Sequence, residues 1–374
     1  MAHIFWCLDY GGVETMLINI ANNQSEMGAD ISIIVINDLI VPELVKNLRT
    51  DIKLIRIDRT KGTKNFSFMR RLNKILLLIS PDIIHLHDSV LVNYINKRCL
   101  HMSCCVVTQH SMPRGPVGMK WRWGNIFDNI ILHHGGNIRA INRIANVFAI
   151  SNAVAKSLKE DYGIKSEVVL NGIETARFSS RKSNMPEGVF NIVQVSRLDH
   201  EKKGQDLLIE AVEYLVFKKG ICLHLTFIGE GISRNYLEKM VQERGLLNYV
   251  SFMGAQKQDY VARHLCEYDL FVQPSRYEGF GLTVAEAMAS KIPVLVSAGQ
   301  GPSEVTEGDT FGWTFACNDV ESLANSIEYI ATHYNEALKK VEDAYMHIWT
   351  KYDVRNTARS YMEKYKQITE VNQM

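Results

Sequence analysis

Two glutamates eight positions apart, Glu278 and Glu286, have the residue type and spacing best suited to chemistry in this 374-residue chain. They lie in the segment SRYEGFGLTVAEAM, with Glu278 in a glycine-flanked turn after an apolar run and Glu286 in the first turn of a predicted helix. Gly279 and Gly281 allow a ligand to approach the backbone closely, and the amides at a helix start favour an anion. The two carboxylates would accept hydrogen bonds from a hydroxyl-rich molecule. Thr283 and Glu286 also fit a capping box, which is a structural alternative for Glu286.

A second segment, VSRLDHEKKGQDLL, offers two cations in loops between strands and helices. Arg197 follows an apolar, strand-like run, and Lys203 stands just before Gly204 and the next predicted helix. An arginine fork and a lysine point charge could together clamp a diphosphate. Lys202 is the neighbouring alternative to Lys203, and an ordinary solvated loop is the structural alternative for the whole segment. The diphosphate interpretation is favoured because this loop and the Glu278 loop fall on the same edge of the predicted sheet.

The N-terminal part of the chain shows weaker patterns, a glycine pair and several histidines. Gly11 and Gly12 precede a predicted helix, but the third glycine of GxGxxG is missing and no GxxxxGK[ST] occurs. The histidines His85, His87 and His110 end or follow predicted strands, where a buried, hydrogen-bonded side chain is the usual finding and a catalytic or metal-binding role the rarer one. Since the chain contains no Asp-x-Asp pair, we expect no bound metal and no cofactor.

The candidate site residues must be positioned by strands and helices. The chain alternates short apolar, β-branched runs with longer stretches of helical periodicity. Strands are predicted at runs such as ISIIVI and DIIHLH, then NIVQVS, HLTFIG and LFVQPS, and helices over residues 14–24, 204–217, 234–244 and 282–289. Apolar strands separated by helices indicate parallel sheets covered on both faces, which is an α/β architecture. A polar stretch over 179–188 is typical of a linker, so we predict domains over 1–180 and 187–350 and a helical tail over 351–374.

The composition narrows the class of protein. A net charge of +1 gives no support to a nucleic-acid partner. The seven cysteines are odd in number and form no C-x-x-C pair, which argues against a disulfide framework or structural zinc and favours a reducing cytoplasm. No apolar run approaches the ~18 residues that a membrane span needs, and the apolar start is too short for a signal peptide.

The near-neutral charge hides an asymmetry between the two halves of the chain. Residues 1–180 carry 21 Lys and Arg against 15 Asp and Glu, a balance of +6, whereas the remainder carries 21 against 26, a balance of −5. Ten of the basic residues lie within 46–74. That stretch is either a solvated helix face or a surface that meets an anionic partner, such as a phospholipid or a phosphate-linked substrate.

In their order along the chain, these motifs resemble those of the retaining family 4 glycosyltransferases of GT-B fold. The matching segments are LDYGGVET, VVTQHS, FAISNAVAKSL, VVLNGIETARF, VSRLDHEKKGQDLL, FIGEG, FMG, PSRYEGFGLTVAEAMASKIPVLVS and SEVTEGDTFGW. The resemblance implies two doubly wound Rossmann-like domains facing across a cleft, with the C-terminal helix crossing back to the N-terminal domain. It implies that the N-terminal domain binds the acceptor and the C-terminal domain the nucleotide sugar.

The resemblance also implies roles for individual residues. Glu278 would contact the transferred sugar, Glu286 the ribose, and Arg197 with Lys203 the diphosphate that leaves. In the C-terminal domain, the backbone near Gly254 would contact the nucleotide base and Glu304 would lie near the donor. The segment Phe280, Gly281, Leu282 and Thr283 would contact the sugar and the phosphate. In the N-terminal domain, Gly12 would contact the diphosphate and His110 would lie near the donor sugar.

The resemblance therefore predicts the transfer of a hexose from a UDP- or GDP-sugar, with retention and without a metal, to a glycan or lipid-linked saccharide. Lipopolysaccharide or capsule synthesis at the cytoplasmic face of the membrane is the expected setting. A nucleotide-sugar epimerase of similar fold and a non-catalytic sugar-nucleotide or glycan binder are the alternatives. The epimerase would change the sugar without releasing nucleotide.

The segment SMPRGPVGMKWRWGNIFDNIILHHGG follows His110 and mixes tryptophans with basic residues, namely Trp121 and Trp123 with Arg114, Lys120 and Arg122. It is either an ordinary loop and helix or an element that meets the acceptor or a membrane, since aromatic and basic side chains together suit a headgroup layer. The pair His133–His134 within it is more typical of a loop than of a ligand site.

Overall fold

The computed structural model of the protein describes residues 1–9, 11–63, 66–112, 141, 144, 146–181, 185, 186 and 188–371. The chain divides into two compact units, one formed by Met1–Gly172 with Val354–Met374 and the other by Ile173–Asp353. The tryptophan-containing segment over 113–140, with the pair His133–His134, lies outside the described residues, as do residues 182–184 and 187 of the predicted linker.

The first unit is built on a parallel sheet whose described strands follow the order β3-β2-β1-β4-β5-β6-β7. The strands are β1 (Ala2–Phe5), β2 (Ser32–Asn37), β3 (Lys53–Arg59), β4 (Ile83–Leu86), β5 (Cys104–Gln109), β6 (Asn146–Ala149) and β7 (Glu167–Val168). Strands β2 and β4 are buried along their whole length, as strands covered by helices on both faces should be.

The helices of this unit come from both ends of the chain. They are α1 (Gly12–Glu26), α2 (Pro42–Lys46), α3 (Phe68–Ile79), α4 (Lys97–Met102), α5 (Asn152–Tyr162) and the C-terminal helix (Val354–Val371), with a 3₁₀ turn at Ser89–Tyr94. Tyr361 and Tyr365 of the C-terminal helix are buried against Met16 and Ile20 of α1 and against Phe148 of β6. The C-terminal helix is thus part of the core of the first unit.

The second unit contains a parallel sheet whose described strands follow the order β10-β9-β8-β11-β12-β13. The strands are β8 (Phe190–Val195), β9 (Leu223–Ile228), β10 (Val250–Phe252), β11 (Leu270–Gln273), β12 (Val294–Ser297) and β13 (Trp313–Phe315). The helices are α6 (His200–Lys203), α7 (Gln205–Phe217), α8 (Arg234–Glu243), α9 (Gln258–His264), α10 (Leu282–Ala289), α11 (Gly301–Val305), α12 (Val320–Thr332) and α13 (Tyr334–Lys351), with 3₁₀ turns at Thr175–Arg177 and Leu265–Glu267. Two parallel α/β units confirm the predicted fold class.

The stretch 46–74 is a helix face only in part, since α3 begins at Phe68 and carries the exposed basic residues from Arg70 onward. Lys53–Arg59 forms β3, which lies at one edge of the sheet and pairs with β2 alone. Its four charged residues among seven suit an edge strand, because charged side chains discourage pairing with another chain. Among the described residues, no helix combines the length and apolar character needed to cross a bilayer.

A glycine between α6 and α7 lets two loops of the second unit meet. Gly204 has φ +68°, and a Cβ at this position would lie 2.0 Å from the backbone oxygen of Pro274, just after β11. A carbonyl oxygen held by its own strand cannot move aside as a flexible side chain can. Only glycine therefore allows the Lys203 end of α6 to approach the loop that carries Glu278.

We expect Gly204→Ala to destabilise the protein more than Gly220→Ala, although both glycines have the same φ of +68°. The strain of the left-handed backbone, roughly 1–2 kcal/mol, is common to both variants. A Cβ at Gly220 would meet no other atom within 4 Å. The backbone overlap at Gly204 should therefore add roughly 1–3 kcal/mol to the loss in free energy of unfolding. Urea unfolding of both variants measures the difference, and equal losses would contradict the proposed backbone contact.

Candidate active site

An ion pair between Lys203 and Glu278 is the centre of the candidate site. The Lys203 ammonium at the end of α6 donates to the Glu278 carboxylate, which follows β11 and lies 75 residues along the chain. Both side chains are only about one-fifth exposed, at 22% and 20%. Lys202 instead pairs with Asp199 at 2.7 Å. The structure thus separates the two candidate lysines, and Lys203 is the one that faces Glu278.

Arg276, which sequence analysis did not single out, joins α6 and α7 to the Glu278 loop. Its guanidinium donates to both carboxylate oxygens of Asp206, at 2.7 and 2.8 Å, and to the carbonyl of His200 at 2.7 Å. Its own amide donates to the carbonyl of Lys202 at 2.8 Å. A bidentate arginine of this kind fixes geometry as well as charge. In the sequence, the position of Arg276 two residues before Glu278 could have indicated that it belongs to the site.

The turn at Glu278 is held by two hydrogen bonds with the start of α11, one to the side chain of Gln300 and one from the backbone of Gly301. The amide of Glu278 donates to Oε1 of Gln300 at 3.1 Å, and the amide of Gly301 donates to the carbonyl of Glu278 at 3.0 Å. A Cβ at Gly301 would lie 2.3 Å from the carbonyl carbon of Gly279. The carboxylate is therefore presented by a turn that a second loop supports directly.

Helix α10 begins at Leu282 without a side-chain cap. Its N-cap is Gly281, in the left-handed conformation with φ +93°. Thr283 is already inside the helix, so the capping box that was the structural alternative for Glu286 does not form. The first amides of a helix have no acceptor within it. The backbone from Phe280, which is buried, to Thr283 therefore presents a helix start beside the Glu278 turn.

Glu286 lies on the same helix and has a different environment from Glu278. It is only 9% exposed, and burial raises its pKa to about 7, while a hydrogen bond from Gln258 and the charge of Arg177 act in the opposite direction. Arg177 donates to Oε1 of Gln258 at 2.8 Å, so these two side chains form a connected group beside the carboxyl. Sequence analysis did not identify either partner, since both come from distant segments.

The other predicted donor-site residues of this unit lie on neighbouring loops. Arg197 is exposed just after β8, and within the described part of the chain it forms no ion pair. Gly254, with φ +71°, follows β10, and its carbonyl accepts from the amide of Gly229 at 2.9 Å. A Cβ at Gly254 would lie 3.0 Å from a carboxylate oxygen of Glu230. Glu304 is half-buried in α11.

The two predicted residues of the first unit have contrasting positions. Gly12 is exposed as the first residue of α1. His110 follows β5, is half-buried, and its Nε2 lies 3.0 Å from Nδ1 of His87. His87 is in turn hydrogen-bonded to His3, and His85 to Thr108, so the expectation of buried, hydrogen-bonded histidines holds for His85 and His87.

The facing ring nitrogens of His3, His85 and His87 lie within 4.8 Å of one another, which is a spacing that a metal ion could bridge. Both nitrogens of each ring, however, already have a hydrogen-bond partner in the protein. A cation would have to break these hydrogen bonds, and the histidine cluster therefore carries no argument for a metal.

Two family descriptions match the chain in succession. Glycosyltransferase Family 4 matches residues 10–177, and Glycosyl transferases group 1 matches residues 176–345. An uncharacterized glycosyltransferase of Methanocaldococcus jannaschii is 26% identical over 305 residues, which are 76% of this chain and 75% of that protein. The amylovoran biosynthesis glycosyltransferase AmsK of Erwinia amylovora is 32% identical over 166 residues, which are 43% of this chain and 40% of that protein.

The fold is similar to that of a solved complex with a sugar nucleotide. Anabaena HepE with UDP-glucose superposes with a TM-score of 0.78 over 98% of this chain and 99% of that chain, at 18% identity. At that level of identity the likeness shows the fold.

We expect Glu286→Gln to alter the pH dependence of stability. In the unfolded chain the carboxyl loses its proton near pH 4.5, whereas in the folded protein it keeps the proton up to about pH 7. The wild-type protein should therefore lose stability as the pH rises from 4.5 through 7, by an amount of up to roughly 3 kcal/mol. The glutamine variant lacks this loss.

Urea unfolding of both proteins at pH 4.5 and pH 8 measures the effect as a difference between variants, so that titration of other groups cancels. Glu243→Gln, on an exposed face of α8, serves as the matched control for loss of a glutamate charge. The same stability difference at both pH values would contradict a buried, protonated Glu286.

Proposed function

Because the chain belongs to the family 4 glycosyltransferases of GT-B fold, we propose that it transfers a hexose from a nucleotide diphosphate sugar to a saccharide, with retention at the anomeric carbon. The observation that carries this proposal is the pairing of Lys203 with Glu278 beside the start of α10. It joins a cation suited to phosphate and a carboxylate suited to sugar hydroxyls in one small region of the second unit.

The chemistry of sugar transfer explains why these groups would be needed together. Cleavage of the bond between sugar and diphosphate builds negative charge on the leaving group, which fixed cations and helix-start amides stabilise. In the proposed complex Lys203 and Arg197 bind the diphosphate, and the amides of Leu282 and Thr283 support it. Lys203 then neutralises phosphate in place of the Glu278 carboxylate, which turns to the hydroxyls of the sugar.

The remaining donor contacts follow from the resemblance. Glu286 accepts hydrogen bonds from the ribose, the base lies near Gly254, and Glu304 lies near the sugar. In the first unit, Gly12 has a role at the diphosphate and His110 one at the transferred sugar. The departing phosphate takes the proton of the acceptor on the same face of the sugar, so no strong protein base is required. We propose that the two cations replace the metal that an Asp-x-Asp site would hold.

The names of similar proteins suggest the donor and the pathway class. HepE was solved with UDP-glucose, which supports a UDP-sugar as the first donor to test. AmsK is named for the biosynthesis of amylovoran, and a relative in Rhizobium meliloti for lipopolysaccharide core biosynthesis. We propose a glycan or lipid-linked saccharide of the cell surface as the acceptor.

We expect Glu278→Gln to reduce turnover roughly 100-fold or more while UDP binding is retained, because the carboxylate acts on the sugar and not on the nucleotide. Arg197→Ala should weaken both turnover and nucleotide binding. Nucleotide release from a panel of UDP-, GDP- and ADP-sugars with candidate acceptors measures the first effect. Thermal shift with the free nucleotides measures the second.

Glu243→Gln, which removes an exposed carboxylate of the same unit, is the matched control and should keep full activity. Sugar conversion without nucleotide release would identify an epimerase. If no sugar nucleotide gives either nucleotide release or conversion, the proposed function is wrong.

A further partner is suggested by one face of α3. Arg70, Lys74 and Leu78 are spaced by four residues and all exposed, Leu78 at 82%, and Phe66 is exposed just before the helix. Basic and apolar side chains on one helix face suit an anionic lipid surface. We propose that this face rests on the cytoplasmic leaflet, where lipid-linked acceptors would be reached.

We expect the double variant Arg70→Gln/Lys74→Gln to bind anionic vesicles more weakly, since each basic residue near such a surface contributes about 1 kcal/mol. UDP binding should be unchanged. Co-sedimentation with phosphatidylglycerol vesicles measures the loss, and Lys218→Gln/Lys339→Gln in the second unit is the charge-matched control. Equal binding by the two double variants would contradict a specific role for α3.

A further inference from the structure

Four side chains of the first unit form a continuous hydrogen-bonded chain that ends at His110. Oε1 of Gln24 in α1 lies 2.7 Å from Nε2 of His3 in β1. Nδ1 of His3 lies 2.9 Å from Nε2 of His87, and Nδ1 of His87 lies 3.0 Å from Nε2 of His110. Gln24 and His3 are fully buried, and His87 is 2% exposed. The proposed function uses His110 alone and leaves the other three without a role.

All three rings are neutral at physiological pH. Burial lowers the pKa of His3 to about 4 and that of His110 to about 3. Burial also lowers the pKa of His87, and the neighbouring histidines His85, His3 and His110 add to the effect. A neutral imidazole carries one N–H and one bare nitrogen, so each ring in the chain donates at one end and accepts at the other.

The first member of the chain sets the direction of all the others. In the orientation that the structure gives the Gln24 amide, its carbonyl oxygen faces Nε2 of His3. Because that oxygen can only accept, Nε2 of His3 donates to it and Nδ1 of His3 is bare. Nε2 of His87 must then donate to His3, which leaves Nδ1 of His87 bare. Nε2 of His110 donates to His87 in the same way. The end result is that Nδ1 of His110 carries a lone pair and no proton.

That lone pair has no hydrogen-bond partner among the residues that the structure describes, and the atom is buried. A buried acceptor without a donor costs free energy, roughly 1–3 kcal/mol by mutational measurements. A buried acceptor without a partner in the protein indicates a position where a bound ligand could supply the missing hydrogen-bond donor. A sugar hydroxyl is the donor that the proposed reaction brings.

We propose that Gln24, His3 and His87 are positioning residues that fix His110 in the Nε2-protonated tautomer, so that its Nδ1 accepts a hydrogen bond from a hydroxyl of the bound saccharide substrate. This rests on the proposed function for the identity of the substrate. The tautomer itself does not depend on it. A bare Nδ1 selects substrates that offer a hydroxyl at that point over analogues that lack it.

The adjacent histidine supplies a control that is close in space and outside the chain. His85 packs beside His87, with ring centroids 4.0 Å apart, but its nitrogens bond to Thr108 at 2.7 Å and to the Tyr365 hydroxyl at 2.5 Å. Thr108→Val removes the partner of His85 without touching Gln24, His3 or His110. Its effects therefore report general disturbance of this region.

The first experiment determines the tautomer in the protein without substrate. Long-range proton–nitrogen correlation spectra of ¹⁵N-histidine-labelled protein distinguish a protonated from a bare ring nitrogen, and loss of a signal in His110→Gln assigns His110. We expect a bare Nδ1 in the wild type and in Thr108→Val, and a mixture of tautomers in Gln24→Leu. A protonated Nδ1 in the wild type would overturn the proposal, as would a wild-type spectrum in Gln24→Leu.

The second experiment tests the substrate hydroxyl. An asparagine places an amide oxygen near the Nδ1 position, whereas a glutamine reaches only toward Nε2. His110→Asn should therefore keep kcat/KM within about threefold, and His110→Gln should lose roughly tenfold, the contribution of one neutral hydrogen bond to an uncharged partner. Gln24→Leu should lose a smaller factor in the wild-type background, set by the share of His110 that is protonated at Nδ1, and nothing more in the His110→Gln background. Additive losses would mean that Gln24 acts on stability and would overturn its positioning role.

The two proposals fail in distinguishable ways. If no sugar nucleotide is turned over, the proposed function fails, while the spectra still decide the tautomer. If the wild-type protein turns over a sugar nucleotide and His110→Asn loses as much kcat/KM as His110→Gln, the acceptor role of Nδ1 is wrong and the proposed function stands.

Discussion

The candidate site depends on a backbone contact between two loops of the second unit. Gly204 lies against the carbonyl of Pro274 with no room for a side chain. Because β8 and β11 are parallel neighbours, the loops that follow them leave the sheet at the same edge. The contact then brings the end of α6 next to the turn after β11, and the Lys203–Glu278 pair follows from it. Arg276 joins the same two segments with three hydrogen bonds from its guanidinium and one from its amide.

Glu278 and Glu286 show how one residue type is stabilised in two ways within eight positions of the chain. Glu278 is partly buried and its charge is balanced by an ammonium group at contact distance. Glu286 is more deeply buried and has amide and guanidinium neighbours that compensate burial only in part, so its pKa rises. The Lys203 ammonium can exchange the Glu278 carboxylate for a ligand's phosphate, which leaves the carboxylate available to hydroxyl groups. A protonated carboxyl can both donate and accept, which suits vicinal hydroxyls.

The fold was largely predictable, and the reason lies in the strands. β2 and β4 are mostly apolar because helices cover both faces of a parallel sheet, and such runs are visible without a structure. β3 was not predicted, because an edge strand carries charged residues and its pattern matches a solvated helix equally well. β13 has only three residues, which is too short for any periodicity to appear.

The site was predictable in its residue types and less so in its contacts. Sequence motifs identified Glu278, Glu286 and the Lys202–Lys203 pair, but only the fold shows which lysine faces the glutamate. Gln258 and Gln300 escaped notice because an isolated glutamine has no motif, and its importance depends on which buried group it meets. His3 escaped for the same reason, since its partners come from two other segments, α1 and the end of β4.

The C-terminal helix has a consequence for the order in which the chain can fold. Tyr361 and Tyr365 fill the same core as Val106 and Phe148, and Tyr361 meets the Phe148 ring edge to face at 5.6 Å between centroids. During synthesis the first unit is therefore without two of its largest core side chains until residues 354–371 have been made. The second unit is continuous in sequence and has all of its own residues earlier. Although domains generally fold in the order of their synthesis, the N-terminal half of this chain completes its core last.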